Sequence, residues 1–276
     1  MLSILREIDR RDRVLSRLGW FQVALLALML LAMPLDQRTI LGLNPWIKPA
    51  KFAASIAIYV WTLAWFLPYL SGPAWAKGLI RWGTVVTMIT EIVCIAGQSL
   101  RGTPSHFNNT SAFNSAVFGI MGSMILFSTG LDVLLLVLFF RRHIMLPAPY
   151  LWGIRTGIAG VILAAGIGLL MVARDAHSVG GPDGGPGLPV LNWNTQHGDL
   201  RPAHAVALHA LQILPLAGFL VSRFRAQAPV SVQLATFGAC LLVYATITGL
   251  LLNQALEGRP LLRRTLVESK FTARQS

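Results

Sequence analysis

Ionisable side chains cluster near the start of one apolar stretch, in a chain that otherwise has few of them. The cluster comprises His197, Asp199, Arg201, His204 and His209. Only 12% of the 276 residues are charged and 54% are hydrophobic, so such a cluster is unusual for this chain. Histidine and carboxylate groups transfer protons in catalysis and bind metal ions. The cluster therefore predicts a functional site at the mouth of a membrane span.

A second set of polar residues recurs at helical spacing nearer the N-terminus. At about 100° per residue, one helix face of about 80° holds Thr87, Glu91, Cys94, Gln98 and Arg101. Because an isolated carboxylate is costly in hydrocarbon, Glu91 indicates a cavity or a bound partner. We interpret Glu91 as a proton acceptor or metal ligand, or alternatively as a structural partner of Lys51 or of a hydroxyl group.

These two regions predict one site that is shared between helices and the loops beside them. The candidate catalytic residues are Glu91, His106, Asp199, His204 and His209. The candidate substrate-binding residues are Lys51, Gln98, Arg101, Arg201 and Gln212. Arginine side chains bind phosphate or carboxylate groups well, so the two arginines favour an anionic part of the substrate.

The histidines are compatible with a haem or a divalent metal ion. His106 and His204 come from different elements and could hold a haem, or bind a metal together with Asp199 or Glu91. The five-residue spacing of His204 and His209 is poor for binding one metal from a single helix. The alternative is that these side chains satisfy backbone and loop groups at a buried helix entrance.

The elements that must position these residues are membrane helices. Apolar runs recur along the chain and its mean hydropathy is +0.61, which predicts an all-α polytopic membrane bundle in a single transmembrane domain over 1–276. Seven spans are predicted at about 18–34, 50–70, 79–100, 113–140, 150–173, 200–222 and 230–254. The remaining segments are a basic amphipathic surface helix at 1–16, a Gly/Pro-rich outer loop at 174–199 and a basic tail at 255–276.

The net charge of +12 comes from basic residues in short loops and tails between these spans. The positive-inside rule and contact with anionic membrane lipids account for it, and we predict no nucleic-acid binding. The distribution predicts an inner membrane of bacterial type with the N-terminus inside. Asp132 and Arg155 are expected to form a structural ion pair near the inner ends of adjacent spans. The two cysteines, Cys94 and Cys240, are expected to be reduced and buried.

The leading functional prediction is a membrane-embedded enzyme or redox protein whose site opens to the outer face. A lipophilic substrate such as a lipid or a quinone would reach the site from the bilayer, and an anionic group would meet the arginines. Two alternatives remain open from the sequence. One is a small-solute or proton-coupled transporter, and the other is an accessory subunit that binds a membrane-protein partner or another copy of itself.

Overall fold

The computed structural model describes residues 2–184 and 186–262, and within these ranges the chain forms eight α-helices. The helices are α1 (Leu2–Arg11), α2 (Arg13–Ala32), α3 (Ile47–Phe66), α4 (Ala74–Leu100), α5 (Ala112–Arg141), α6 (Ala148–Ala173), α7 (Arg201–Phe224) and α8 (Val230–Leu256). Short 3-10 turns extend α2 through Leu35 and α3 through Tyr69. Seven of the helices, α2 to α8, are long and apolar enough to cross a membrane. The predicted all-α membrane bundle is confirmed.

The N-terminal amphipathic helix is shorter than predicted because Asp12 begins the next helix. Asp12 has an extended backbone, and its Oδ1 accepts hydrogen bonds from the amides of Val14 and Leu15 at 3.1 Å each. An aspartate that satisfies the free amides of a first turn is a strong N-cap. Helix α1 therefore ends at Arg11 rather than at residue 16, and the first span begins at Arg13 rather than at 18.

Helices α6 and α7 pack more closely than any other pair in the described part of the chain, because glycines remove side chains from their contact. A Cβ atom on Gly153 would lie 2.5 Å from the carbonyl oxygen of Leu214, and one on Gly218 would lie 2.2 Å from that of Pro149. Small residues at helix crossings allow this approach in membranes. The approach also brings the α6 backbone within reach of the α7 side chains.

One side of the bundle carries the connections 36–46, 101–111 and 174–200, and we call it the long-loop side. The longest of these connections contains a two-residue antiparallel pair, β1 (Ser178–Val179) with β2 (Gly198–Asp199). The rest of its described residues are turns and irregular backbone, as its glycines and prolines predicted. The predicted basic tail at 255–276 lies mostly outside the described residues, which end at 262.

Both cysteines are free thiols, but they are less buried than expected. Cys94 is half-buried and Cys240 is exposed on the surface of the bundle. Helix α8, which carries Cys240, is packed mainly against α7, so most of its circumference faces outward. The expectation of two buried thiols is therefore wrong, because the last span lies at the periphery of the bundle.

Candidate functional site

A cavity of about 290 Å³ lies among helices α3 to α7 on the long-loop side of the bundle. Most of its wall is aliphatic or aromatic. Its ionisable and polar lining groups include Ser55, Tyr59, Glu91, His106, Ser128, Asp132, His177, His204, His209 and Gln212. A mostly apolar pocket with a few converging polar groups is the usual form of a small-molecule site.

Five of the ten residues singled out from the sequence line this cavity. They are Glu91, His106, His204, His209 and Gln212. They come from α4, α7 and the loop between α4 and α5, which the sequence treats as separate segments. The tertiary structure therefore brings the predicted polar stripe of the third span and the predicted cluster of the sixth span to one place.

Glu91 is buried in the interior of α4 and has an unsatisfied carboxyl oxygen. Its exposed fraction is 2%, and its Oε1 has no hydrogen-bond partner among the residues that the structure describes. Leu100 ends α4 about 13 Å further along the axis, at about 1.5 Å per residue. Buried polar atoms are nearly always hydrogen-bonded, so an orphan oxygen at a cavity wall points to a ligand atom or a water.

Asp132 and Tyr59 form a hydrogen-bonded pair at the deep end of the cavity. The Tyr59 hydroxyl donates to Oδ1 of Asp132 at 2.8 Å, and Asp132 is 5% exposed. The predicted ion pair with Arg155 is wrong. Arg155 instead donates to the carbonyl oxygen of Phe139 at 2.9 and 3.1 Å, and Phe139 lies about 10 Å beyond Asp132 along α5 at about 1.5 Å per residue.

Three cavity histidines have Nδ1 close to an oxygen that can only accept a hydrogen bond. For His204 the acceptor is the carbonyl oxygen of Ala164 on α6, at 2.8 Å. For His177 it is Asp183 Oδ2 at 2.8 Å, and for His209 it is the amide oxygen of Gln212 at 3.4 Å. Nδ1 must therefore carry the proton in each neutral ring, which leaves Nε2 as a free acceptor.

Three phenylalanine rings surround His106 at the end of the cavity nearest the long-loop side. Its ring centroid is 5.8 Å from that of Phe52, 6.0 Å from that of Phe118 and 6.3 Å from that of Phe107. Burial, and then the positive charge of Lys48, holds the pKa of His106 well below its usual range. His106 is therefore neutral at physiological pH and can act as a hydrogen-bond acceptor or ligand.

Asp199 and Arg201 lie outside the cavity lining and satisfy each other in the loop. Arg201 donates to Asp199 Oδ2 at 2.6 Å and to the carbonyl oxygen of Asn192. Asp199 also accepts the backbone amides of Asn194 at 2.7 Å and of Arg201 at 2.9 Å. This arrangement matches the alternative interpretation from the sequence, in which these residues satisfy loop and backbone groups.

Lys51, Gln98 and Arg101 are likewise bonded elsewhere and do not line the cavity. Lys51 Nζ donates to the carbonyl oxygens of Val190 at 3.1 Å and Leu191 at 3.3 Å. Arg101 donates to Gln98 Oε1 at 2.6 Å. The two arginines predicted to hold an anionic substrate group, Arg101 and Arg201, thus lie outside the cavity lining, as does Lys51.

The described residues contain no group of three histidine, cysteine, aspartate or glutamate side chains placed to hold a metal ion. The predicted three-ligand set with His106, His204 and Asp199 or Glu91 is accordingly not assembled there, since Asp199 is bound to Arg201 outside the cavity. His106 and His204 both line the cavity, and a haem between them stays a prediction.

The cavity opens sideways at the surface of the membrane-spanning part. Seven of its lining residues are exposed although they lie inside spans, namely Ser55, Ile58, Ile125, Leu126, Leu169, Val172 and His209. Comparisons with family models, with curated proteins and with solved structures found no match.

Sequence reasoning missed three of the residues that define the cavity. Tyr59 shares one helix face with Lys51, Ser55 and Thr62 at about 100° per residue, which was a usable signal, and Asp132 was predicted to pair with Arg155. His177 lies in the Gly/Pro-rich loop, where no helical or strand periodicity indicates which way its ring turns. A usable signal was the presence of Asp183 six residues later, at a spacing that a compact loop can close.

Proposed function

We propose that this membrane protein is an enzyme or redox protein that binds a small lipophilic molecule in the cavity and exchanges a proton with it at Glu91. The observation that carries the proposal is the buried, unpartnered oxygen of Glu91 at the wall of an apolar cavity. The volume of about 290 Å³ is close to the lower end of small-molecule sites, which is about 300 Å³. The neighbouring histidines add further acceptors for a proton.

The expected substrate is uncharged and carries a hydroxyl or carbonyl group on an apolar ring, as a phenol or a quinone does. An uncharged molecule is favoured because Lys51, Arg101 and Arg201 do not line the cavity and are hydrogen-bonded to other protein groups. A lipophilic molecule is favoured because the exposed lining residues, Ile58 of α3 and Leu126 of α5 among them, lie within the membrane spans. An alkyl tail on the ring could remain in the bilayer.

Two glycines of α5 provide a matched test of binding in the cavity. Gly122 lines the cavity and Gly119 does not, and a Cβ on either would meet no atom within 4 Å. The protein in lipid nanodiscs would be titrated with a short-chain benzoquinone and with the corresponding hydroquinone. We expect Gly122→Leu to abolish saturable binding and Gly119→Leu to retain it. Equal binding by both variants, or none by the natural protein, would refute the proposal.

The redox form of the proposal is tested by the purified protein itself. An absorption spectrum with a Soret band, lost in His204→Ala, would establish a haem, and elemental analysis would detect a metal. A colourless and metal-free preparation that still binds the quinone would restrict the function to proton transfer and non-redox chemistry. The absorption spectrum and the elemental analysis are recorded on the same sample as the binding titration.

A second candidate function is proton-coupled transport, and the depth of the cavity favours it. Asp132 lies about 30 Å from the start of α5 and about 13 Å from its end, at about 1.5 Å per residue. Beyond Asp132, the fully buried side chains of Leu135 and Phe139 separate the cavity from the other side. Proton uptake by proteoliposomes that Asp132→Asn abolishes and Asp9→Asn does not would favour transport over an enzyme.

We further propose that the long-loop side faces away from the cytoplasm of a bacterial-type inner membrane. Arg17, Lys77, Arg81 and Arg141 lie on the opposite side, which the positive-inside rule assigns to the cytoplasm. A single cysteine introduced at exposed Gly42 or at exposed Arg142, in a cysteine-free background, would be labelled by an impermeant maleimide on intact cells. Labelling only at Arg142 would overturn this orientation.

A further inference from the structure

A histidine–aspartate pair stands where the cavity meets the long-loop side. His177 lines the cavity, and its Nδ1 lies 2.8 Å from Oδ2 of Asp183. The side chains are 22% and 27% exposed respectively, so the pair reaches both the cavity and the surface. A carboxylate that orients a histidine in this way stabilises one tautomer and also the protonated ring.

The loop backbone holds Asp183 firmly in this role. Its Oδ1 accepts the amide of Ser178 at 2.7 Å, and both of its oxygens accept the amide of His177 at 2.9 and 3.0 Å. Although burial raises it, these hydrogen bonds from His177 keep the pKa of Asp183 below its usual range. The carboxylate therefore stays ionised and acts only as an acceptor toward the ring.

Phe107 completes the geometry on the cavity side. Its ring packs edge-to-face on His177 with centroids 4.8 Å apart and also contacts Phe118 at 5.4 Å. The imidazole is thus held between an aromatic wall and a carboxylate, and Nδ1 is used. Nε2 is the one ring nitrogen left to receive a proton.

We propose that the His177–Asp183 pair is the proton port of the cavity, through which protons pass between the bound molecule and water on the long-loop side. This inference rests on the proposed function, because it assumes a proton-exchanging molecule in the cavity. Asp183 acts through His177 and is a positioning residue. Neither residue was among those singled out from the sequence.

The transfer balances without any oxidant or reductant. A hydroxyl group of the bound molecule loses its proton, the O–H bond breaks, and a new N–H bond forms at Nε2 of His177, directly or through water. The ring becomes an imidazolium whose charge faces the Asp183 carboxylate. The same N–H bond then breaks as water on the long-loop side accepts the proton, and the neutral ring is restored.

Charged and titratable groups from all neighbouring elements act on this ring. They are His106 of the α4–α5 loop, Lys48 of α3, Arg201 and His204 of α7, and Asp183 of its own loop. Burial lowers the pKa of His177, Asp183 opposes that shift, and Arg201 and Lys48 add to it. A ring that is neutral at rest and accepts a proton only briefly suits a port.

The experiment uses the full chain in nanodiscs with an alkylated 4-nitrophenol, whose absorbance reports its own ionisation. After a rapid pH jump, the rate at which the bound dye changes colour measures proton passage into the cavity. We expect His177→Gln and Asp183→Asn to slow that rate at least about tenfold, within the range of general acid–base effects. His143→Gln, a matched change at an exposed histidine on the opposite side, should leave the rate unchanged.

The outcomes separate the port from the site that it serves. If the dye binds and both variants keep the natural rate, the port is overturned and the proposed site stands. If the dye fails to bind the natural protein, or Gly122→Leu leaves binding intact, the proposed function fails instead. Equal slowing by His143→Gln would also overturn the port, because it would indicate a general effect of losing a histidine.

Nitrogen-15 NMR of histidine-labelled protein tests the pair without any dye. The His177 signals, assigned by their loss in His177→Gln, should report a proton on Nδ1 and a bare Nε2. Asp183→Asn should move the population toward the other tautomer, because an amide can also donate to Nδ1. A His177 ring protonated on Nε2 in the natural protein, or a spectrum indifferent to Asp183→Asn, would overturn the inference.

Discussion

The loop that ends at α7 and the cavity below it contain the same kinds of side chain. Their polar atoms differ in hydrogen bonding, which is complete at Asp199 of the loop and incomplete at Glu91 of the cavity. In the loop, Asp199 accepts two backbone amides and the guanidinium of Arg201, so its carboxylate is fully bonded. In the cavity, Glu91 has an oxygen with no partner among the described residues, and His204 has a free Nε2. The density of polar residues alone therefore does not distinguish the fully bonded loop from the cavity.

Unsatisfied polar groups, rather than clustered ones, therefore mark a candidate site in this protein. A closed network lowers the free energy of the folded state and has no capacity left for a ligand. An open group costs free energy in the folded protein and is retained where a ligand or a proton uses it. Loop substitutions should therefore change stability most, and cavity substitutions should change it least.

The largest loss of stability is expected from Asp199→Ala. It leaves the guanidinium of Arg201 and two amides without their acceptor, and breaking such a buried pair costs about 3–5 kcal/mol. The measurement is the free energy of unfolding in detergent, with Asp9→Ala on the exposed face of α1 as the control. Adding Arg201→Met should recover part of the loss. If Asp199→Ala lowers the free energy of unfolding no more than the control does, the hydrogen bonds of Asp199 do not stabilise the loop.

A smaller loss is expected from Gly153→Ala at the contact between α6 and α7. The new methyl would lie 2.5 Å from the Leu214 carbonyl oxygen, which a backbone atom cannot avoid. Overpacking of this kind costs about 1–3 kcal/mol. Gly166→Ala in the same helix meets nothing within 4 Å and should be neutral or stabilising. If both variants have the same melting temperature, Gly153 is not what allows the close approach of α6 and α7. The hydrogen bond of His204 to α6 would then depend on other contacts.

Acidification should gradually lower the free energy of unfolding, because His106 and His177 lie in loops that bury them. Burial lowers the pKa of His106 and His177 in the folded protein. Below a pH of about 6.5, the unfolded chain therefore binds protons that the folded chain does not, and stability falls as pH falls by up to about 1.4 kcal/mol per pH unit and histidine. Asp183 does not oppose this, since its own contribution is lost only below its unfolded pKa of about 4.

The check is the melting temperature between pH 8 and pH 5 for the natural protein and for His106→Asn/His177→Gln. The double variant should show a flatter profile over the same range. A single variant at exposed His143 should retain the natural slope. An unchanged slope in the double variant would mean that other groups carry the acid sensitivity.

The smallest change in stability is expected from Glu91→Gln, no more than about 1 kcal/mol, the net contribution of one hydrogen bond. The substitution keeps the shape of the side chain and removes no hydrogen bond to Oε1, because that atom has none in the described structure. Proton exchange with a bound phenol should nevertheless fall at least about a hundredfold. A loss of stability as large as that of Asp199→Ala would instead make Glu91 a structural residue.

Much of the candidate site was predictable, and what was missed follows one pattern. Glu91, His204 and His209 stand out because ionisable groups are rare in apolar spans, and all three line the cavity together with His106 of the α4–α5 loop. Asp199 stood out as part of the ionisable cluster before α7, but its hydrogen-bond partners lie in the folded loop. The partner of Asp132 was misassigned, since sequence order suggested α6 whereas the rotation of α5 turns it toward Tyr59 of α3.

By itself the sequence determined the seven spans, the amphipathic start and the non-helical loop, because a bilayer imposes its requirements on each segment separately. It also determined which ionisable groups had to be accommodated in hydrocarbon. Only the tertiary structure decided which of those groups are satisfied and which are left open. That distinction depends on contacts between distant segments, such as His204 with Ala164 and His177 at the cavity wall, and no local pattern encodes it.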